Sequence, residues 1–77
     1  MIGKYSLAKE ISLGSYLKAA RLKRRLSVAE VAERIGVTAP AVYLWEMERN
    51  RPRDYNLTAL CKVLRLPVRA TRELAAQ

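Results

Sequence analysis

The sequence predicts an all-α fold, a compact bundle of five short helices, and three observations support this prediction. Apolar residues recur at helical spacing in five consecutive segments. Glycine, proline, asparagine and capping residues separate these segments, so the connections are short. The chain has 77 residues, which is enough for one domain with a small core and leaves no room for a second.

The second and third helices are predicted to form a helix-turn-helix. Ser27 and Glu30 have the spacing of a capping box at the start of the second helix. Gly36 stands where a left-handed residue ends that helix, and Thr38 caps the next one almost at once. Because Pro40 lacks an N–H group, the Thr38 hydroxyl is expected to accept from the N–H of Ala41. A turn this short makes the two helices cross steeply, although an ordinary helical corner has the same local signals.

The remaining helices and connections follow from the same signals. The first helix is expected from about Leu13 to Arg24, with Ser12 or Ser15 as N-cap and left-handed strain at Arg25. Residues 49–54 form a loop with three arginines. The chain then continues into a fourth helix capped by Asp54 or Asn56 and a short fifth helix, Pro67–Leu74. Residues 1–12 lack a firm period, so a helical turn and a flexible arm remain alternatives there; the helical domain is expected at 13–77.

Composition and charge narrow the function classes. Fifteen lysines and arginines against seven acids give a net charge of +8, which indicates a polyanionic partner, nucleic acid or an anionic membrane surface. Cys61 is the single cysteine and is expected to be buried and inert. With one cysteine and no histidine, neither a metal site nor a Cys–His nucleophile is expected. No pair of groups has a plausible catalytic arrangement, so an enzyme is not expected either. The sequence also lacks a long apolar segment, and a cytoplasmic protein is expected.

From Leu13 to Leu74 the chain resembles the Cro/C1 (Xre) family of helix-turn-helix DNA-binding domains, which have a lambda-repressor-like fold. The strongest signal is the Gly36-Val37-Thr38 turn followed at the family's spacing by Trp45-Glu46. The other matching positions are Leu13-Gly14, Leu17, Arg21, Leu26-Ser27, Val31-Ala32-Glu33, Val42, Pro52, Leu57, Leu60 and Leu64. The resemblance implies a transcriptional regulator, a repressor more than an activator, that binds a palindromic operator in double-stranded DNA as a homodimer. It also implies that the protein has no cofactor, and a small-molecule effector is not expected.

The resemblance also implies roles for individual residues. The recognition helix, at about 38–48, is expected to lie in the major groove and to present Ala39, Pro40, Tyr43 and Leu44 to the bases. The expected contacts to the DNA backbone are Lys18, Val28, Thr38, Arg49, Arg51 and Arg53, and Arg53 has the minor groove as an alternative. Arg21 and Glu46 are expected to form a structural ion pair. The expected dimer interface is Tyr55, Leu66, Val68 and Leu74, of which Leu66 and Leu74 are alternatively core residues.

Several positions depart from the family pattern. Val28 stands where many relatives have a glutamine that contacts phosphate, so this contact is lost or made by the backbone. Glu48 replaces a glycine that often ends the recognition helix, so the helix is expected to continue towards Arg49. The apolar residues Pro40, Leu44 and Met47 support an alternative function, a protein-interaction module that reuses the fold.

Overall fold

The computed structural model describes residues 11–77, so most of the proposed arm 1–12 lies outside the described residues. All regular elements of the described part are helices, which confirms the predicted all-α class. They are α1 (Leu13–Lys23), α2 (Val28–Ile35), α3 (Ala39–Glu46), α4 (Asp54–Leu64) and α5 (Val68–Ala75).

Local signals in the sequence set the start of the first three helices. Ser12 caps α1 by accepting from the N–H of Ser15, and Thr38 caps α3 by accepting from the N–H of Ala41. The capping box of α2 is complete, because Glu30 also accepts from the backbone N–H of Ser27 at 2.7 Å. This hydrogen bond favours the ionised carboxylate and lowers the pKa of Glu30.

The core forms where the apolar stripes of α1 to α4 meet. Its buried side chains are Leu13, Leu17, Val31, Ala32, Val42, Trp45, Leu57, Leu60 and Leu64. The Cys61 thiol is buried among them, as expected. Helix α5 packs on α1 and α4. Leu74 of α5 and Leu66, just before this helix, contact the core from its edge. Because α2 and α3 also pack against each other, burial of one continuous apolar surface holds the helix-turn-helix on the other helices.

Two predicted helix boundaries are wrong. The recognition helix does not continue towards Arg49; it ends at Glu46, and Glu48 takes a left-handed conformation with φ of 61°. The N–H of Arg49 then donates back to Leu44 O at 2.9 Å, which closes the helix as a glycine would. The fourth helix lacks the predicted side-chain cap, since Arg53 is its N-cap residue. The Asp54 carboxylate instead accepts two bonds from Arg72, each 3.0 Å long.

The N-terminus of α1 approaches the end of α3 closely at Gly14. The N–H of Gly14 donates to the Glu48 carboxylate, and a Cβ atom at position 14 would collide with the carbonyl group of Glu46. The acid also lies at the positive end of α1, so the contact is favourable as well as tight. Only glycine fits this approach without movement of one helix.

Replacement of Gly14 by alanine should therefore overpack the junction of α1 and α3. We expect Gly14→Ala to lower the free energy of unfolding by about 1–3 kcal/mol in urea denaturation. Gly36→Ala is the matched control, because Gly36 has φ of 78° and open space around it. Its cost, about 1–2 kcal/mol, is conformational, so Gly36→Asn should recover part of it, as asparagine tolerates that conformation. Wild-type stability of Gly14→Ala would contradict the steric argument.

Candidate nucleic-acid interface

A three-residue connection turns the chain from α2 into α3. Gly36 has a left-handed conformation, and the N–H groups of Gly36 and Val37 both donate to Ala32 O, at 2.9 and 3.0 Å. The N–H of Gly36 also donates to Glu33 O at 3.4 Å, so two of the last carbonyl groups of α2 are satisfied before Thr38 caps α3. The turn fixes the direction of α3, so that one of its faces meets the core and the other meets solvent.

The solvent-facing side of α3 is apolar. Pro40, Tyr43 and Met47 are exposed, and Leu44 is half-buried. No residue of this face carries a charge, and the Tyr43 hydroxyl is its one side-chain hydrogen-bonding group. We define these four residues as the α3 outer face.

The structure changes two of the sequence-based assignments on α3. Ala39 was expected to face the bases together with Pro40, but it is partly buried and packs against the core. Met47 was named only for the alternative function, yet it is 47% exposed and follows Tyr43 and Leu44 by one helical turn. Met47 lies four residues after Tyr43 and three after Leu44, and this helical spacing would have placed it on the same face.

The ion pair expected between α1 and α3 is present. Arg21 Nε donates to Glu46 Oε2 at 2.7 Å, and Arg21 Nη2 donates to Glu46 Oε1 at 3.0 Å. The two side chains are 10% and 6% exposed, and Arg21 Nη1 also donates to Leu26 O at 2.9 Å. The hydrogen bond to Glu46 raises the pKa of Arg21 despite the opposing effect of burial. Trp45 is buried beside this pair, as expected of a core residue.

The residues expected to contact the DNA backbone differ in their surroundings. Lys18, Arg49 and Arg53 are exposed, and their side chains bond to no other residue within 11–77. Arg51 instead donates to Ala75 O and, at 2.9 Å, to Gln77 O. Ala75 is the last residue of α5 and Gln77 lies two residues beyond it, so neither carbonyl group has a partner within the helix and the guanidinium group satisfies both.

Val28 was also expected to contact the DNA backbone. Val28 is half-buried against the core, so only its backbone N–H remains for an external contact.

A cleft of about 320 Å³ opens beside the loop that follows α3. Polar and cationic residues line it together with one edge of Trp45: Asn50, Arg51, Arg53, Tyr55 and Asn56.

The four residues expected at a dimer interface also separate. Tyr55 is 69% exposed, which makes it the most exposed large apolar side chain of the described residues. Leu66 and Leu74 pack against the core, and Val68 is half-buried. Within one subunit, Leu66 and Leu74 thus pack as the core residues that were given as the alternative to a dimer interface.

Residues 11–77 contain neither a cluster of metal ligands nor a membrane-spanning helix. Within that range no three histidine, cysteine, aspartate or glutamate side chains lie together as metal ligands would. No helix there has both the length and the apolarity needed to span a bilayer.

Comparison with known proteins assigns the fold and its family. The profile of the helix-turn-helix family (HTH_3) matches residues 17–70, well over half of the chain. The chain therefore belongs to the Cro/C1-type helix-turn-helix family, as its resemblance predicted.

A similar solved structure is that of the P22 c2 repressor, determined in complex with the synthetic operator 9T in the presence of Tl⁺. The two chains are 28% identical with a TM-score of 0.76, and the match covers 79% of this chain and 92% of the other. No curated protein matches closely enough in sequence to add to the comparison.

The burial of the α1–α3 ion pair leads to a stability prediction. Glu46→Ala leaves the Arg21 guanidinium without its partner in a mostly buried place, so we expect a loss of roughly 1–3 kcal/mol in the free energy of unfolding. The matched control is Arg72→Ala, which breaks the exposed pair with Asp54 and should cost less than about 1 kcal/mol. Equal losses in urea denaturation would show that burial of the pair does not determine its contribution.

Proposed function

We propose that this protein is a transcriptional regulator, most simply a repressor, which binds a palindromic operator in double-stranded DNA as a homodimer. The observation that carries the proposal is the position of α3 within its family's fold. A three-residue turn and a buried ion pair hold α3 with its outer face in solvent, the arrangement in which a recognition helix enters the major groove. Similarity to a repressor solved with its operator and the net charge of +8 support this function.

In this proposal the DNA backbone is held by residues around α3. Lys18, Arg49 and Arg53 are exposed cations that neutralise phosphates. The N-termini of α3 and α2, at Thr38 and Val28, offer backbone N–H groups to the phosphates of the DNA. Arg51 joins them only if it exchanges its bonds to the end of α5 for a phosphate. Such contacts position the protein and carry no sequence information directly.

The α3 outer face determines how bases are read. Apolar groups cannot form the paired hydrogen bonds that identify guanine or adenine, but they contact the methyl group that thymine presents in the major groove. Pro40, Leu44 and Met47 therefore discriminate by methyl contact and by groove shape. Tyr43 is 53% exposed and is the residue able to donate to a base or a phosphate.

A homodimer follows from the size of the unit. A helix-turn-helix of this size covers one half-site, and two copies about one DNA turn apart cover a palindrome. Tyr55 is the best candidate to meet its equivalent across the symmetry axis, because it is highly exposed and follows the loop after α3. Val68 is half-buried and adds to this surface.

We also propose that the protein is cytoplasmic, that it is associated with the nucleoid when it binds DNA, and that it has no cofactor.

A second function, a protein-interaction module, is favoured by the same α3 outer face. An exposed apolar patch with Tyr43 at 53% and Met47 at 47% exposure is typical of a protein interface. Salt separates the two functions, because phosphate contacts weaken steeply with ionic strength and apolar contacts do not.

The experiment that tests the proposal is selection of bound sites from random duplex DNA, followed by titration at several salt concentrations. We expect enrichment of a palindromic site and a complex of two chains per duplex by light scattering. Arg49→Gln should lower the slope of log affinity against log salt by about one, and Arg49→Lys, which keeps the charge, should leave it unchanged. Absence of any enriched site, with no dependence of binding on salt, would favour the protein-interaction module.

Methyl readout gives a further prediction on the selected site. Uracil in place of a contacted thymine removes the methyl group and leaves base pairing intact. Binding should weaken by about 0.8 kcal/mol per buried methyl, by analogy with one buried methylene. Thymines outside the half-sites serve as controls and should tolerate the exchange. If uracil at every thymine of the half-sites leaves the affinity unchanged, the readout depends on Tyr43, the arginines or DNA shape instead.

A further inference from the structure

Helices α1 and α4 end at the same side of the bundle. Arg24, the C-cap residue of α1, donates from Nε to Leu64 O at 3.4 Å, and Leu64 is the last residue of α4. The chain neighbours of these two residues, Arg25 and Arg65, therefore also lie at this side.

Arg25 and Arg65 share a backbone conformation that favours glycine. Their φ angles are 56° and 58°, and each residue is followed by a backbone N–H that closes its helix. Glycine enters this conformation without steric cost, whereas a residue with a Cβ does not. An exposed arginine thus occupies both positions in spite of local strain, and such an outlier points to a function of the side chain.

Together with Lys23 and Arg24 these residues form a cationic surface, which we define as the basic end: Lys23, Arg24, Arg25 and Arg65. All four are exposed. The ion pairs found within residues 11–77 are Arg21–Glu46 and Arg72–Asp54, so no acid among those residues neutralises the basic end. Four neighbouring cations repel one another and attract a polyanion.

The basic end continues from the N-terminus of α2. Arg25 lies three residues before Val28, where α2 begins, and Arg21 fixes this connection by donating to Leu26 O. Helix α1 starts beside the end of α3, at Gly14, and its 11 residues extend about 16 Å away from there. The basic end thus lies at the opposite end of α1 from Gly14 and adjoins the N-terminus of α2, the helix terminus assigned to the DNA backbone.

We propose that the basic end binds phosphates of the duplex that flanks the half-site, outside the base pairs read by α3. This inference rests on the proposed function, since it extends the footprint of the same DNA complex. Arg25 lies three residues before the start of α2, so the phosphates within its reach adjoin those assigned to that helix terminus. The contacts are electrostatic and add affinity without sequence preference.

The test compares two duplexes that carry the selected operator. One ends at the outer edges of the half-sites, and the other extends ten base pairs beyond each edge. The double variant Arg25→Gly, Arg65→Gly removes two cations and relieves the backbone, so the thermal unfolding midpoint should not fall. The matched control, Arg25→Lys with Arg65→Lys, keeps both charges.

We expect the wild type and the lysine variant to bind the extended duplex more tightly than the trimmed one. On the extended duplex the glycine variant should lose affinity, and its salt slope should fall by about 1.8 per subunit, from about 0.9 for each phosphate contact. On the trimmed duplex it should bind as the wild type does.

Two results would overturn the inference while the proposed function stands. One is equal binding of both duplexes by the wild type, and the other is an equal loss on both duplexes in the glycine variant. Failure of the wild type to bind either duplex would instead remove the proposed function and the inference with it.

Discussion

The junction between α1 and the end of α3 is the constraint on which the rest of the structure depends. Arg21 and Glu46 pair through two hydrogen bonds while both side chains are largely removed from water. A charge in such a place is costly unless its partner is present, so α1 and α3 hold each other at a fixed distance. Gly14 allows this distance, because any side chain there would meet the backbone of Glu46.

This junction explains how a small domain presents one helix rigidly. Helix α3 has eight residues, too few to be stable alone, and its inner face buries only Val42 and Trp45 in the core. The ion pair, the Glu48 contact to Gly14 and the Gly36 turn hold its two ends. The conformation of α3 therefore does not depend on charged or capping side chains on its outer face, and that face contains none.

The distribution of charge complements this division. The α3 outer face is uncharged, whereas cations lie around it and at the basic end. Under the proposed function, affinity and sequence preference would reside in different parts of the molecule. Phosphate contacts would belong to the surrounding arginines and lysines, and methyl and shape contacts to Pro40, Leu44 and Met47. Arg51 connects the two chain segments after α3 and after α5, because its guanidinium binds carbonyl groups at the end of α5.

The sequence by itself determined the features that depend on neighbours along the chain. The capping box of Ser27 and Glu30, the left-handed Gly36, the Thr38 cap and the apolar stripes are local, so five helices and their order were predictable. The Arg21–Glu46 pair was predictable only through the family resemblance, because 25 positions separate its members.

Tertiary structure decided the features that depend on distant contacts. The end of α3 was mispredicted because the left-handed conformation of Glu48 depends on a contact with another helix. The Glu48 carboxylate accepts a hydrogen bond from the N–H of Gly14 in α1. Asp54 looked like a cap by its position, yet Arg72 of α5 binds its carboxylate. Ala39 packs against the core, Arg51 binds the end of α5, and Arg24 donates to the Leu64 carbonyl at the end of α4 for the same reason. Each side chain binds the partner that helix packing brings within reach. The local sequence does not specify how far apart two side chains on different helices will lie.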